Sequence, residues 1–145
     1  GKGGKLIARC RSEVAPSYRN GNLGDSVVLE ALFGLKPAPE KEIRGRMERF
    51  LKRKRRTQPV TLSSAGCAFK NPASGLSAGA LIESVGLKGA RVGGIQVSEK
   101  HANFLISEEG AKSAHVFALL ERIESAVEEQ CGVRLERELV VWPSS

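Results

Sequence analysis

Apolar positions recur at helical spacing in two long stretches of the chain, and short β-prone runs lie before, between and after them. In residues 113–130, Val116, Leu120, Ile123 and Val127 form a stripe that predicts a helix ended by Gly132. Residues 40–56 carry Ile43, Met47, Phe50 and Leu51 on one face and charge on the other, which predicts a second helix. A short helix is predicted over residues 77–85, with Ser77 as its N-cap and Gly86 as its terminator. Strands are predicted at residues 5–8, 26–35, 91–97, 104–106 and 135–142. Residues 58–64 read as loop or extended chain, and Asn20-Gly21-Asn22 and Gly24-Asp25 are turn chemistry. Pro37 and Pro39 each push the preceding residue out of the helical region, so a domain boundary is expected there, between 1–37 and 38–145. Helices and strands do not alternate regularly, so an α+β fold is expected rather than a doubly wound sheet.

Composition narrows the picture. The chain has 145 residues, enough for one ordinary domain with a core, and 41% hydrophobic with 27% charged residues is a globular balance. No apolar run is long enough to span a membrane, and the first five residues lack the apolar core of a signal peptide. Cys10, Cys67 and Cys131 are too few and too widely spaced for a disulfide framework or a zinc site; no metal is expected, and reduced thiols in the cytoplasm are. The net charge of +7 favours anionic partners: nucleic acid, anionic membranes or phosphorylated metabolites. Much of it sits in Lys52-Arg53-Lys54-Arg55-Arg56, at a helix end where cations complement the dipole. Aromatic residues are only 5% and do not alternate with basic ones, which removes the base-stacking pattern of a nucleic-acid binder. Neither nucleic acid nor membrane is therefore the expected partner.

Two motifs carry candidate chemistry. Ser64-Ala65-Gly66-Cys67-Ala68-Phe69-Lys70-Asn71-Pro72 sets a thiol in a small-residue turn, with a cation and an amide behind it. Downstream follow Gly86-Leu87-Lys88-Gly89 and Gly93-Gly94-Ile95-Gln96-Val97-Ser98-Glu99-Lys100-His101-Ala102-Asn103. Gly93-Gly94 lacks the strand, Gly-x-Gly-x-x-Gly and helix context of a dinucleotide fingerprint and reads as a turn where backbone meets backbone. Taken singly, the residues leave plain alternatives open. Cys67 is a buried small hydrophobe or a reactive thiol. Arg19 is a turn cation or a ligand, and Glu138 an edge acid beside Arg137 or a buried one. Asn103 reads as structural, and His115, in the long helix, as ordinary.

The order and spacing of these motifs resemble the C-terminal half of the UDP-N-acetylenolpyruvoylglucosamine reductase (MurB) family. The likeness runs from about residue 18 to residue 141 and includes Tyr18-Arg19-Asn20, Thr57-Gln58-Pro59 and Leu135-Glu136-Arg137-Glu138-Leu139. Gly21 stands where the family usually has Ser, and Val140 where it usually has Arg. The short stretch 72–80 resembles the compact type II branch. The resemblance implies a fragment: the tail strands of an FAD-binding domain in 1–37, then a substrate-binding domain in 38–145, with the rest of the FAD-binding domain as a missing partner. It also implies a reaction. NADPH reduces bound FAD, hydride passes to C3 of UDP-N-acetylglucosamine enolpyruvate, and a protein acid protonates C2 to give UDP-N-acetylmuramate for the peptidoglycan wall.

Roles follow from the same resemblance. Cys67 matches the proton donor, where many members carry Ser; a thiol, with an ordinary pKa of about 8.5, is far more acidic than an alkanol. Arg19 matches the arginine that polarises the substrate carboxylate, which a guanidinium meets with two parallel hydrogen bonds. Glu138 matches the glutamate that assists the enolate stage; Glu136 shares its strand face, but Glu138 directly precedes the motif's apolar residue. Asn71 matches a diphosphate contact, with Arg55 or Arg56 supplying cations. His101 stands where a relative places a substrate-binding Gln, and it either donates to substrate or fills a polar core site. Tyr18 matches a cofactor contact. Three other readings compete: a basic nucleic-acid-binding module, a thiol redox protein built on Cys67, and a non-catalytic remnant.

Overall fold

A two-residue turn at Gly93-Gly94 folds the predicted 91–97 strand back on itself, with Val92 opposite Ile95. Side chains are excluded there. Gly93 has φ +51°, and a Cβ on Gly94 would stand 2.6 Å from the backbone nitrogen of Ala111. Gly94→Ala is therefore expected to destabilise by about 1–3 kcal/mol, the usual cost of overpacking. Thermal unfolding followed by circular dichroism checks this, and an unchanged midpoint would contradict the tight approach.

The computed structural model describes residues 4–73 and 75–142. It divides into two compact units, Gly1–Ala38 and Pro39–Ser145. The elements in chain order are α1 (Arg11–Val14), α2 (Glu40–Thr57), β1 (Ser64–Cys67), α3 (Ala78–Ser84), β2 (Arg91–Val92), β3 (Ile95–Val97), β4 (Phe104–Ser107) and α4 (Ser113–Cys131). In the second unit the four strands form one antiparallel sheet in the order β1-β4-β3-β2. With its helices this is an α+β fold, as the sequence predicts.

The core lies between sheet and helices. α4 packs against β2, β3 and α3. Leu119, Leu120, Ile123 and Val127 of α4 are buried with Ala78, Leu81 and Ile82 of α3 and Val97 of β3. Each buried Leu, Ile or Val side chain among them contributes about 1.5–3 kcal/mol by leaving water. Caps fall where the sequence places them. The Ser77 hydroxyl accepts the Ala80 N–H at 3.3 Å, and Gly86 and Gly132 end their helices at φ +71° and +65°. α2 also forms as predicted, yet none of its residues is buried, and Ile43, Met47, Phe50 and Leu51 are among the exposed apolar side chains.

Three predicted strands do not form. Residues 5–8 and 26–35, the expected tail strands of an FAD-binding domain, have no strand structure. Their β-branched and apolar residues have the right propensity, but among the described residues of the Gly1–Ala38 unit no neighbouring strand takes up their N–H and C=O groups, and Val27, Leu29, Leu32 and Phe33 are exposed. Residues 135–142 keep only one bridge, Phe69 to Arg137; beyond it Val140, Val141 and Trp142 are exposed and outside any ladder. Residues 143–145 lie outside the described residues.

Candidate active site

Cys67 is placed by an irregular strand pairing. Ser64 lies opposite Ile106, but Cys67 lies opposite Phe104, so β1 holds one residue more than β4 between these pairs. That extra residue is a β-bulge, which bends and re-aims a strand. Gly66 sits in it at φ +91°, a region that disfavours side chains. Cys67 ends the strand half-buried.

After Cys67 the chain runs beside residues 136–138. Lys70 N–H donates to the Glu136 carbonyl at 2.8 Å, and Glu138 N–H donates to the Ala68 carbonyl at 2.8 Å. The fold thus brings the Cys67 and Glu138 segments together across a long sequence gap. It also separates the two neighbouring acids. The Glu136 carboxylate is exposed and ion-paired with the Lys70 ammonium, whereas Oε2 of Glu138 is buried. Arg137 anchors the segment to α4: its Nε and Nη2 donate to the two oxygens of Glu124 at 2.5 and 2.6 Å. That bidentate bond raises the Arg137 pKa above its ordinary value, against the opposing effect of burial.

Asn103 lies against the same segment, and His101 lies beside Asn103. The Ala68 N–H donates to the Asn103 backbone carbonyl at 2.8 Å. The Asn103 side chain, in a residue 2% exposed, takes both backbone groups of Phe69: Oδ1 accepts its N–H at 2.9 Å and Nδ2 donates to its carbonyl at 2.8 Å. The Asn103 N–H donates to Nδ1 of His101 at 3.3 Å. The His101 ring meets Phe104 edge-on at 4.8 Å between centroids. A Cβ on Gly79 would stand 3.2 Å from the ring, so α3 also abuts it.

Burial holds the His101 pKa below its usual 6.5; Lys88 lowers it further, while its own backbone hydrogen bond and Glu83 oppose this. The unfolded chain then takes up the imidazole proton first as pH falls. The stability tied to neutral His101 is complete above about 6.5 and is lost as pH drops through the lower folded value. His101→Gln should flatten this acid-side loss in urea titrations across that window. A loss as steep as in the parent would contradict it.

The remaining candidates are more exposed. The Asn71 Oδ1 accepts the Ala78 N–H at 3.0 Å, so this side chain holds the start of α3. Arg55 and Arg56 lie exposed in the last turn of α2. The Lys100 ammonium donates to the Arg55 carbonyl at 3.1 Å, which sets that helix end beside the His101 loop. Tyr18 and Arg19 belong to the Gly1–Ala38 unit. They form the tip of a tight turn closed by Ser17 and Asn20 bonds of 2.9 and 3.1 Å. Arg19 takes φ +55°, and its guanidinium carbon lies 5.3 Å from the centre of the Tyr18 ring.

Sequence reasoning missed Lys100 and Arg137 as positioning groups, and nothing in their spacing signals either. Asn103 had a signal: an amide inside the apolar Ala-Asn-Phe-Leu-Ile run must find partners. His115, read as ordinary, caps α4 instead, its Nδ1 accepting the Lys112 and Gly94 N–H groups at 3.2 and 3.3 Å. A cavity of about 310 Å³ lies beside the bulge, walled by Gly66, Ala68, Ile95, Leu105, Val116 and Leu139 among others. Cys67, Asn71, His101 and Glu138 do not line it. Among the described residues there is no cluster of potential metal ligands, and no helix is long and apolar enough to cross a membrane. Cys10, Cys67 and Cys131 are thiols rather than disulfides.

Comparison with known proteins shows the family. The family model for the C-terminal domain of UDP-N-acetylenolpyruvoylglucosamine reductase matches residues 58–142. UDP-N-acetylenolpyruvoylglucosamine reductase 2 of Symbiobacterium thermophilum is 43% identical over 96% of the chain and 46% of its own length. The Moorella thermoacetica reductase is 44% identical over 90% of the chain and 43% of its own length. The crystal structure of the Thermus caldophilus reductase (MurB) superimposes with a TM-score of 0.64 at 43% identity, covering 76% of this chain and 38% of that one. The chain thus spans about half the length of the curated relatives it matches. From the bulge that sets Cys67 to the segment that carries Glu138, it belongs to the UDP-N-acetylenolpyruvoylglucosamine reductase family, whose C-terminal domain it carries.

Proposed function

We propose that this chain is the substrate-binding and proton-donating part of a cytoplasmic oxidoreductase. The reaction is the reduction of UDP-N-acetylglucosamine enolpyruvate to UDP-N-acetylmuramate for peptidoglycan synthesis. Residues 38–145 would bind the substrate, and 1–37 would complete an FAD-binding domain whose other part corresponds to the remaining length of the relatives. The observation that carries this reading is the backbone union of the Cys67 segment with residues 136–138, through the 2.8 Å bond from Glu138 N–H to the Ala68 carbonyl. It holds a thiol and a partly buried carboxylate on neighbouring stretches of one frame.

When bound, FAD reduced by NADPH supplies the hydride that adds to C3 of the enolpyruvyl group. Tyr18 fits a contact with such a planar ring system: it is 61% exposed and its own ring is backed by the Arg19 guanidinium. Cys67 then gives its Sγ proton to C2, and the thiolate regains a proton from water. Negative charge develops on the substrate carboxylate before that transfer. Arg19 meets it with a charge-assisted pair of hydrogen bonds, and Glu138 assists the enolate stage. Arg55, Arg56 and Asn71 hold the diphosphate. Neutral His101, with Nδ1 already an acceptor, offers its Nε2–H as a donor to substrate oxygen.

Calorimetric titration of the chain with UDP-N-acetylglucosamine enolpyruvate tests this. Saturable binding is expected. The double variant Arg55→Ala/Arg56→Ala and the single variant Asn71→Ala should each weaken it about tenfold or more, the scale of one lost charged hydrogen bond. Absence of nucleotide-sugar binding, with salt-sensitive binding to arbitrary DNA instead, would replace this reading with that of a basic nucleic-acid module.

A further inference from the structure

Asn103 spends its polar groups on the segment that follows the candidate thiol and on His101. Its backbone carbonyl accepts the Ala68 N–H at 2.8 Å, its side chain takes both backbone groups of Phe69, and its N–H donates to Nδ1 of His101. A structural asparagine in a core need satisfy only itself. This one closes a circuit from the residue after Cys67 to an imidazole. An Nδ1 that accepts a hydrogen bond carries no proton, so the neutral ring must hold its hydrogen on Nε2.

We infer that Asn103 is a positioning residue that locks the Cys67 turn and His101 into one unit and fixes His101 as the Nε2–H tautomer. Asn103 acts through its neighbours: the amide side chain sets the path of the chain through Ala68 and Phe69, and hence where Cys67 leaves β1. The backbone N–H sets which imidazole nitrogen donates. The consequence for turnover rests on the function proposed above, with His101 as a substrate donor and Cys67 as the acid. The two structural effects do not need substrate or flavin to be observed.

The test uses the whole chain labelled with ¹⁵N-histidine. It contains two histidines, His101 and His115, so long-range proton–nitrogen spectra resolve both; His101 is assigned by its loss in His101→Gln. Above the imidazole titration range, His101 is expected to show a protonated Nε2 and an acceptor-type Nδ1. A protonated Nδ1, or averaging between the two forms, overturns the inference, and this result needs no variant.

Asn103→Asp then keeps the shape but puts an acceptor against the Phe69 carbonyl. Residue 103 keeps its backbone N–H, so the expected result is a shift of the His101 signals as the loosened turn moves, with the His115 signals unchanged. Alkylation of Cys67 by iodoacetamide should become about tenfold faster, the population effect of losing one buried hydrogen bond. Unmoved His101 signals and unchanged alkylation overturn the inference, as do equal shifts at both histidines, which mark general loosening. If Asn103→Asp does not fold, the tautomer of the parent chain decides. Failure of these readouts removes Asn103 from the site while leaving the substrate titration intact; failure of the titration leaves the tautomer and alkylation results standing.

Discussion

Cys67→Ala should lower turnover about 10²–10⁴-fold, the range that a positioned general acid contributes. Cys67→Ser should retain activity. The test enzyme joins this chain to the remaining part of the Symbiobacterium thermophilum relative, which is 43% identical to it over the shared region. The reasoning is chemical. Protonation of C2 needs a dissociable hydrogen on a group held in place. Gly66 at φ +91° and the one-residue bulge set the direction of the chain at residue 67, so either a thiol or a hydroxyl there presents its hydrogen from the same backbone. Alanine keeps the backbone and removes the hydrogen. A thiol carries a liability that a hydroxyl does not, because its thiolate is alkylated and oxidised readily. Iodoacetamide should therefore silence the parent enzyme and spare Cys67→Ser. Full steady-state activity in Cys67→Ala would remove Cys67 as the acid.

Asn103→Leu should destabilise the chain by about 2–6 kcal/mol, since two buried backbone groups each lose their partner at about 1–3 kcal/mol apiece. Leucine has nearly the shape of asparagine, so little of this loss is a cavity. The N–H and carbonyl of Phe69 face the Asn103 side chain at 2.9 and 2.8 Å, and Phe69 itself is 1% exposed. Water does not reach a residue so buried without opening the core. Urea unfolding measures the loss directly. A change below about 1 kcal/mol would mean that the segment finds other partners, and that Asn103 does not hold the Cys67 turn.

The local elements were largely legible. The stripe of Val116, Leu120, Ile123 and Val127 predicts α4 because one face of a helix must leave water, and the residues 119, 120, 123 and 127 are those that do. Ser77, Gly86 and Gly132 mark helix ends by chemistry that acts within a few residues. Gly93-Gly94 was readable as a close backbone approach but not as the point where one predicted strand becomes two. Strand predictions failed where no partner strand lies alongside among the described residues. Residues 26–35 and 139–142 have β-prone side chains, but a strand is a property of a pair, and propensity says nothing about what lies alongside.

The geometry around the candidate residues was not legible in the sequence. Cys67, Asn71, His101 and Glu138 were named by motif resemblance alone. No periodicity reports that Glu138 N–H meets the Ala68 carbonyl, since that bond joins segments about half the chain apart. The distinction between Glu136 and Glu138 was equally out of reach: on the sequence both are acids on one strand face. Only the Lys70 ammonium, paired with Glu136, and the buried Oε2 of Glu138 separate them.

The most direct test of the central claim is an anaerobic absorbance experiment on the joined reductase. NADPH should bleach the flavin, and colour should return only when UDP-N-acetylglucosamine enolpyruvate is added. In Asn71→Ala and Arg55→Ala/Arg56→Ala the return should need more substrate, since the proposed function puts the diphosphate on these three side chains. A reduced flavin that ignores the enolpyruvyl compound in a well-folded protein would contradict the account.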